Sequence, residues 1–305
     1  MTADLPDPHR AAPRSVWTRA RWQALRAAHA ARVDAAALAF VERRARGLKH
    51  PVEDFLFTYY TLSPARLRQW TPPWGAAIEV EDADLEAMPW LAGAAWQRRD
   101  GLLSHAQPPP EPRRRLAAWV AELCARVRER PARFGCLGLH EWAMVYRQSR
   151  ELVRHQSHEL RLPPEALAAF VEAQTIGCSH YDAYRFFTPA ARPLNTLNPT
   201  LETRPRMEQA GCLHANMDLY KWSAKLLPWA GSDLIGRCFE LARRARLLDM
   251  RASPYDLRAL GLEPVRIETP EGRALYEQEQ RALAAESAPL REALRAAAES
   301  VAASE

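Results

Sequence analysis

No apolar run in this 305-residue chain approaches the length of a bilayer span, and the opening MTADLPDPHR holds no signal-like apolar stretch. The expectation is a cytoplasmic protein with no membrane partner. Cysteine is scarce: five, without regular close spacing, which argues against a disulfide framework and fits reduced thiols. Lysine is scarcer, since only Lys49, Lys221 and Lys225 stand among 42 basic residues. An amine can release its proton where a guanidinium effectively cannot, so these lysines are candidates for chemistry as well as charge. Several catalytic signatures are also missing. Neither GxGxxG nor GxxxxGK(S/T) occurs, which argues against a nucleotide held by those loops, and there is no GxSxG elbow. HExxH is absent too, because His140-Glu141 and His158-Glu159 both lack the second histidine.

What is present describes a globular, mainly α protein. Hydrophobic residues at 48% and charged residues at 26% are ordinary for such a chain, and its length allows a core that needs no staples. The net charge of +5 is small, but ten basic residues between Arg10 and Lys49 face only Asp34 and Glu42. That arm is compatible with phosphate contacts, above all at Arg43, Arg44, Arg46 and Lys49; the alternative is a solvated helical face. Residues 1–14 read as a flexible tail, 15–271 as one mainly helical catalytic domain and 272–305 as a C-terminal helical extension. Apolar residues at three- and four-residue steps predict helices from Ser15 as N-cap and over 114–130, 137–160, 164–176, 214–226, 232–248 and 272–305. The β content is expected to be very small, with short strands at 77–80 and 264–268.

Four blocks hold an unusual alphabet: KHPVEDFLFTYY (49–60), FGCLGLHEWAMVYR (134–147), GCSHYDAYRFFTPAARPLN (177–195) and GCLHANMDLYKW (211–222). LDMRASPYDL (248–257) is a shorter fifth. Three repeat Gly-Cys followed by histidine, as Cys136/His140, Cys178/His180 and Cys212/His214. Thiolate and imidazole suit zinc or iron, and Glu141, Glu172, Asp182 and Asp218 are nearby carboxylates for a site built across helices. The rival is that the cysteines are small buried hydrophobes. An acid/base pocket is the other chemical reading. His180, Asp182, His214 and Asp218 are its catalytic candidates, and His214 and Asp218 lie four apart on one helical face. Tyr184, Arg185, Phe187, Asn195, Asn216, Tyr220, Lys221 and Trp222 are candidates for holding substrate. For each charged group the competing role is a structural salt bridge, because a carboxylate or amine buried unpaired costs several kcal/mol.

The phrases LHEWAMVYR, SHYDAYRFFTPAARPLN, CLHANMDLYKW and DMRASPYDL, with RGLKHPVEDFLFTYY, resemble a group of bacterial, mostly actinobacterial, proteins described as 3-methyladenine DNA glycosylases. The resemblance covers most of residues 20–290. It implies a DNA partner and an N-glycosylase that extracts alkylated purines with no required cofactor. The chain departs from the best-known alkylbase glycosylases in lacking a helix-hairpin-helix glycine motif followed by an aspartate. On this reading Tyr181, Tyr184, Phe186, Phe187, Tyr220 and Trp222 stack the extruded base. Asp182 or Asp218 stabilises charge on the sugar, and His180 or His214 positions water. Lys221 as an amine nucleophile would add strand cleavage. The alternative is an iron- or zinc-dependent enzyme acting on a small molecule, with His140, His180 and His214 among its ligands; a non-catalytic helical binding module is the third.

Overall fold

A computed structural model describes residues 14–153 and 156–304. Of the tail expected over 1–14, only Arg14 lies within the described residues; Arg10 lies outside them. The chain is mainly helical, as its periodicity predicts, with one small sheet.

The expected helix from Ser15 starts later. Ser15–Trp17 forms a strand, β1, that pairs in parallel with Ala76–Glu79, β2. The cap is Thr18, whose hydroxyl accepts from the backbone N–H of Arg21 and opens the long helix α1, Arg19–Ala45. Trp22, His29, Val33, Ala36, Ala37 and Phe40 form its buried stripe. Two short helices follow, α2 (Phe55–Thr58) and α3 (Pro64–Arg68), then β2 and the helix α4 (Asp82–Ala87). Strands β3 (Trp96–Arg99) and β4 (Leu102–His105) complete a sheet of order β1-β2-β4-β3, whose last two pairings are antiparallel. Trp22, Trp70, Ile78, Met88, Leu91 and Leu103 pack between this sheet and α1 as a second, smaller core.

The principal core lies between α5 (Glu111–Glu129), α10 (Leu213–Lys225), α11 (Ser232–Arg251) and α12 (Pro270–Ala302). The helix expected over 137–160 is broken into a short α6, Leu139–Ala143, followed by turns and one 3-10 turn at Arg150–Leu152. Its apolar spacing was real, since Trp142, Val145, Tyr146 and Val153 are buried. Backbone with positive φ at Leu137, Gly138 and Arg147 places them there by turns instead of by helix. Then come α7 (Pro164–Glu172), α8 (Tyr181–Tyr184) and α9 (Arg204–Met207). Residues 264–268 form no strand, although Val265 and Ile267 are buried. The segment expected as a C-terminal extension contributes Tyr276, Leu283, Leu290, Leu294 and Val301 to the principal core. No helix among the described residues is long and apolar enough to cross a membrane.

Candidate metal centre and its cavity

The three Gly-Cys turns meet. Cys136, Cys178 and Cys212 line one small space together with His140 and His214. At Gly211 the close approach is physical: a Cβ there would stand 2.3 Å from the carbonyl oxygen of Arg133. Burial pushes the Cys178 and Cys212 thiols up, so both stay protonated and behave as small apolar side chains. Their sulfurs belong to neither of the two ligand groups described next.

The first group is His140 from α6, His214 from α10 and Asp249 from α11, whose ligand atoms all lie within 4.8 Å of one another. His140 Nε2 stands 2.8 Å from Asp249 Oδ1. The two form a buried ion pair, and neither atom has another partner. The other carboxylate oxygen, Asp249 Oδ2, accepts from Arg246 at 2.9 Å, and the same guanidinium nitrogen donates to Glu141 Oε1 at 2.8 Å. Cys136 Sγ is 3.9 Å from His140 Nδ1 and orients that ring. His214 packs edge-on against His140 at 4.5 Å between centroids and lies 5.4 Å from the His180 ring. Neither nitrogen of His214 has a hydrogen bond among the described residues. Burial works against charge on His140, but the Asp249 carboxylate outweighs it and holds this imidazole well above its ordinary range. Burial, followed by the neighbouring His140, drives His214 the other way, to about 3, so it is neutral.

The second group is His180, Glu208 and Asp218, all buried. His180 Nε2 lies 3.3 Å from both Asp218 Oδ2 and Glu208 Oε1. Two cations already cross-link this group. Lys221 Nζ donates to Asp182 Oδ2 at 2.6 Å and Asp218 Oδ2 at 3.1 Å, while Arg204 reaches Asp182 at 2.7 Å and Glu208 at 2.9 Å. The Tyr60 hydroxyl donates to Asp218 Oδ1 at 3.1 Å. Burial alone would raise Asp218, but Lys221 and His180 hold it well below the ordinary carboxylate range. Burial prevails at Glu208 and raises it. An ion here would have to displace Lys221, whereas in the first group it would have to displace only the His140 proton that faces Asp249. The donor set of two imidazoles and one carboxylate fits a divalent transition metal, with His140, His214 and Asp249 as ligands and Arg246 and Cys136 supporting them.

His214 also lines a cavity of about 770 Å³. Phe55, Tyr59 and Phe186 supply its aromatic wall, Asp54, Glu141 and Asp182 its carboxylates, and Arg44 and Lys49 lie among its basic side chains. His180, Asp182, His214 and Asp218 are therefore brought together, in two adjoining networks. Lys221 and Arg185 accompany Asp182, with Arg185 Nε 3.7 Å from Asp182 Oδ1.

Other candidates are placed elsewhere. Phe187 and Tyr220 are core residues, and Trp222 packs on Trp119 under the Lys221 and Arg204 cations. Tyr184 packs on Phe187, outside the cavity lining. Asn195 braces the backbone of Cys178 and Leu197, and Asn216 binds the Ala210 carbonyl and Arg291. Both amides are consumed by structure, which is why neither faces substrate space. Of the basic arm, Arg43 is paired with Asp54 and Arg46 with Glu42, leaving Arg44 and Lys49 on the cavity.

Sequence reasoning missed Asp249, Arg246, Glu208 and Arg204. Asp249 lies in the fifth block, but the pairing itself shows locally only as spacing, Arg246–Asp249 three apart and Arg204–Glu208 four apart, and the pairs Glu292–Arg295 and Glu277–Arg281, away from the site, have the same spacings. Comparison with protein-family models, with curated proteins and with solved structures gives no match.

Proposed function

We propose that this chain is a metal-dependent enzyme acting on a small molecule held in the 770 Å³ cavity. The observation that carries the reading is the convergence of one ligand atom each from His140, His214 and Asp249, all within 4.8 Å of one another, with His214 at the cavity wall. A divalent ion bound there supplies Lewis acidity and, if it is iron, redox chemistry; two imidazoles and a carboxylate leave coordination positions open. The chain's own groups do the rest. Arg246 fixes Asp249 so that one oxygen points inward, and Phe55, Tyr59 and Phe186 shape a partly apolar wall for an unsaturated or aromatic substrate. Arg44 and Lys49 favour anions at that cavity.

The test is elemental analysis of protein purified without a histidine tag, followed by titration of the stripped protein with iron(II), zinc and manganese. The expected result is one equivalent of one metal, lost in His140→Ala and Asp249→Ala. Less than about a tenth of an equivalent, with no uptake on titration, overturns the reading.

A second reading is supported by the aromatic wall with Arg44 and Lys49 beside it, and by the resemblance to 3-methyladenine DNA glycosylases: excision of an alkylated purine held against the wall that Tyr59 and Phe186 form. Asp182 is the carboxylate nearest to hand on that wall, although Lys221 and Arg204 already engage it. Release of base from alkylated duplex DNA by metal-free protein at low salt supports this reading, and its absence removes it.

A further inference from the structure

We infer that a second pocket, beside the cavity, binds the phosphate group of a small-molecule phosphomonoester whose remainder extends toward His214. The assignment rests on reading the large cavity as the place of reaction. The second pocket holds about 440 Å³ and shares Tyr59 and Asp182 with the large cavity as a common wall. Four separate segments deliver cations to it: Arg66 from α3, Arg113 from α5, Arg185 after α8, and Lys221 and Lys225 from α10.

The charge there is uncompensated. Asp182 is the acid of the lining; with Asp218 behind it, it balances Lys221 and Arg204. Arg113 spends one nitrogen on the Lys225 carbonyl, and Arg185 spends one on the Tyr59 hydroxyl at 3.2 Å. The side chains of Arg66 and Lys225 have no ion pair or hydrogen bond among the described residues. Like charges four apart on one helix face, such as Lys221 and Lys225, repel, so an arrangement that adds three guanidiniums beside them is relieved by an anion. Guanidiniums present paired N–H groups that match a phosphate, and the ammonium groups add point charge.

Arg185 links the two spaces. Its guanidinium lies 4.5 Å from the centroid of Phe186, which belongs to the large cavity, while the same side chain faces the second pocket. A ligand anchored by phosphate would pass Tyr59 and Asp182 to reach His214. A nucleic-acid backbone fits less well, because Arg43 and Arg46, which would extend the basic track, are neutralised by Asp54 and Glu42.

The experiment is calorimetric titration of the full chain with inorganic phosphate and with phenyl phosphate at low ionic strength. The double variant Arg66→Ala/Lys225→Ala removes two exposed, unpaired side chains and leaves every described hydrogen bond of the fold in place. Wild-type protein is expected to bind both probes, phenyl phosphate more tightly, and the double variant to bind each at least about tenfold more weakly. Arg66→Lys/Lys225→Arg is expected to restore most of the affinity. No binding at about 1 mM probe, or equal binding by wild type and double variant, overturns the assignment. So does a double variant that loses affinity for a short duplex DNA while keeping that for phenyl phosphate. Because phosphate binding is read without catalysis, a chain that takes up no metal on titration yet binds phenyl phosphate through Arg66 and Lys225 upholds this pocket and overturns only the metal-centre reading.

Discussion

Asp218 shows how much one buried atom pair decides. Its two oxygens serve Tyr60, His180 and Lys221 at once, and it is almost fully buried. Asp218→Asn keeps the shape and removes the charge, so Lys221 retains only Asp182 and the Tyr60 hydroxyl faces an amide. Breaking one side of a buried charge network costs about 3–5 kcal/mol, which predicts a clear fall in the urea midpoint at unchanged slope. The metal content of the His140, His214 and Asp249 group is expected to be unaffected, because Asp218 supplies none of those ligand atoms. A stable Asp218→Asn variant that has lost its metal would show that the two networks act as one site.

At the scale of the element, the sheet carries a pH sensitivity of its own. His105 ends β4 against Trp96, with centroids 4.2 Å apart, and beside Trp74 at 5.5 Å. Neither ring nitrogen has a partner, and burial lowers its pKa to about 4. The folded state therefore keeps His105 neutral, while the unfolded chain takes up a proton near the ordinary value of 6.5. Stability is full above that value and falls as pH drops from about 6.5 to about 4, by about 3 kcal/mol for this group. His105→Phe fills the same aromatic slot without a titrating nitrogen. Thermal melts from pH 7 to pH 4 are expected to show a shallower decline in the variant; parallel curves would contradict the assignment. His29, lowered chiefly by burial, titrates in the same direction and is left untouched by this change.

For the whole molecule, α12 is a structural wall of the site. Gln280 donates to the Gly211 carbonyl at 2.7 Å, and Arg291 donates to Asn216 at 2.6 Å, so this helix holds the start of α10 where His214 sits. Tyr276, Leu290 and Leu294 belong to the same core as Met217 and Leu219. Each buried apolar side chain of that size is worth about 1.5–3 kcal/mol, and a domain is stable by only about 5–15 kcal/mol. A chain ending at residue 271 is expected to be insoluble or to lack a cooperative melt, as circular dichroism would show. A soluble, cooperatively melting fragment would make α12 a true appendage.

The mainly α character, the smallness of the sheet and the long α11 are written locally, because three- and four-residue apolar steps fix which face a helix must bury. The Gly-Cys-His turns could likewise be read off the chain as unusual. Their convergence could not, and neither could the choice of carboxylate for each histidine: Asp249 for His140, and Asp218 with Glu208 for His180. Arg246 and Glu277–Arg281 obey the same local rules, yet one is buried against Glu141 and Asp249 and the other lies in solvent. Local order depends on neighbours in the chain, whereas the pairing of buried charges depends on which surfaces the folded helices press together. Only the packing of α6, α10 and α11 with the ends of α8 and α9 settled that.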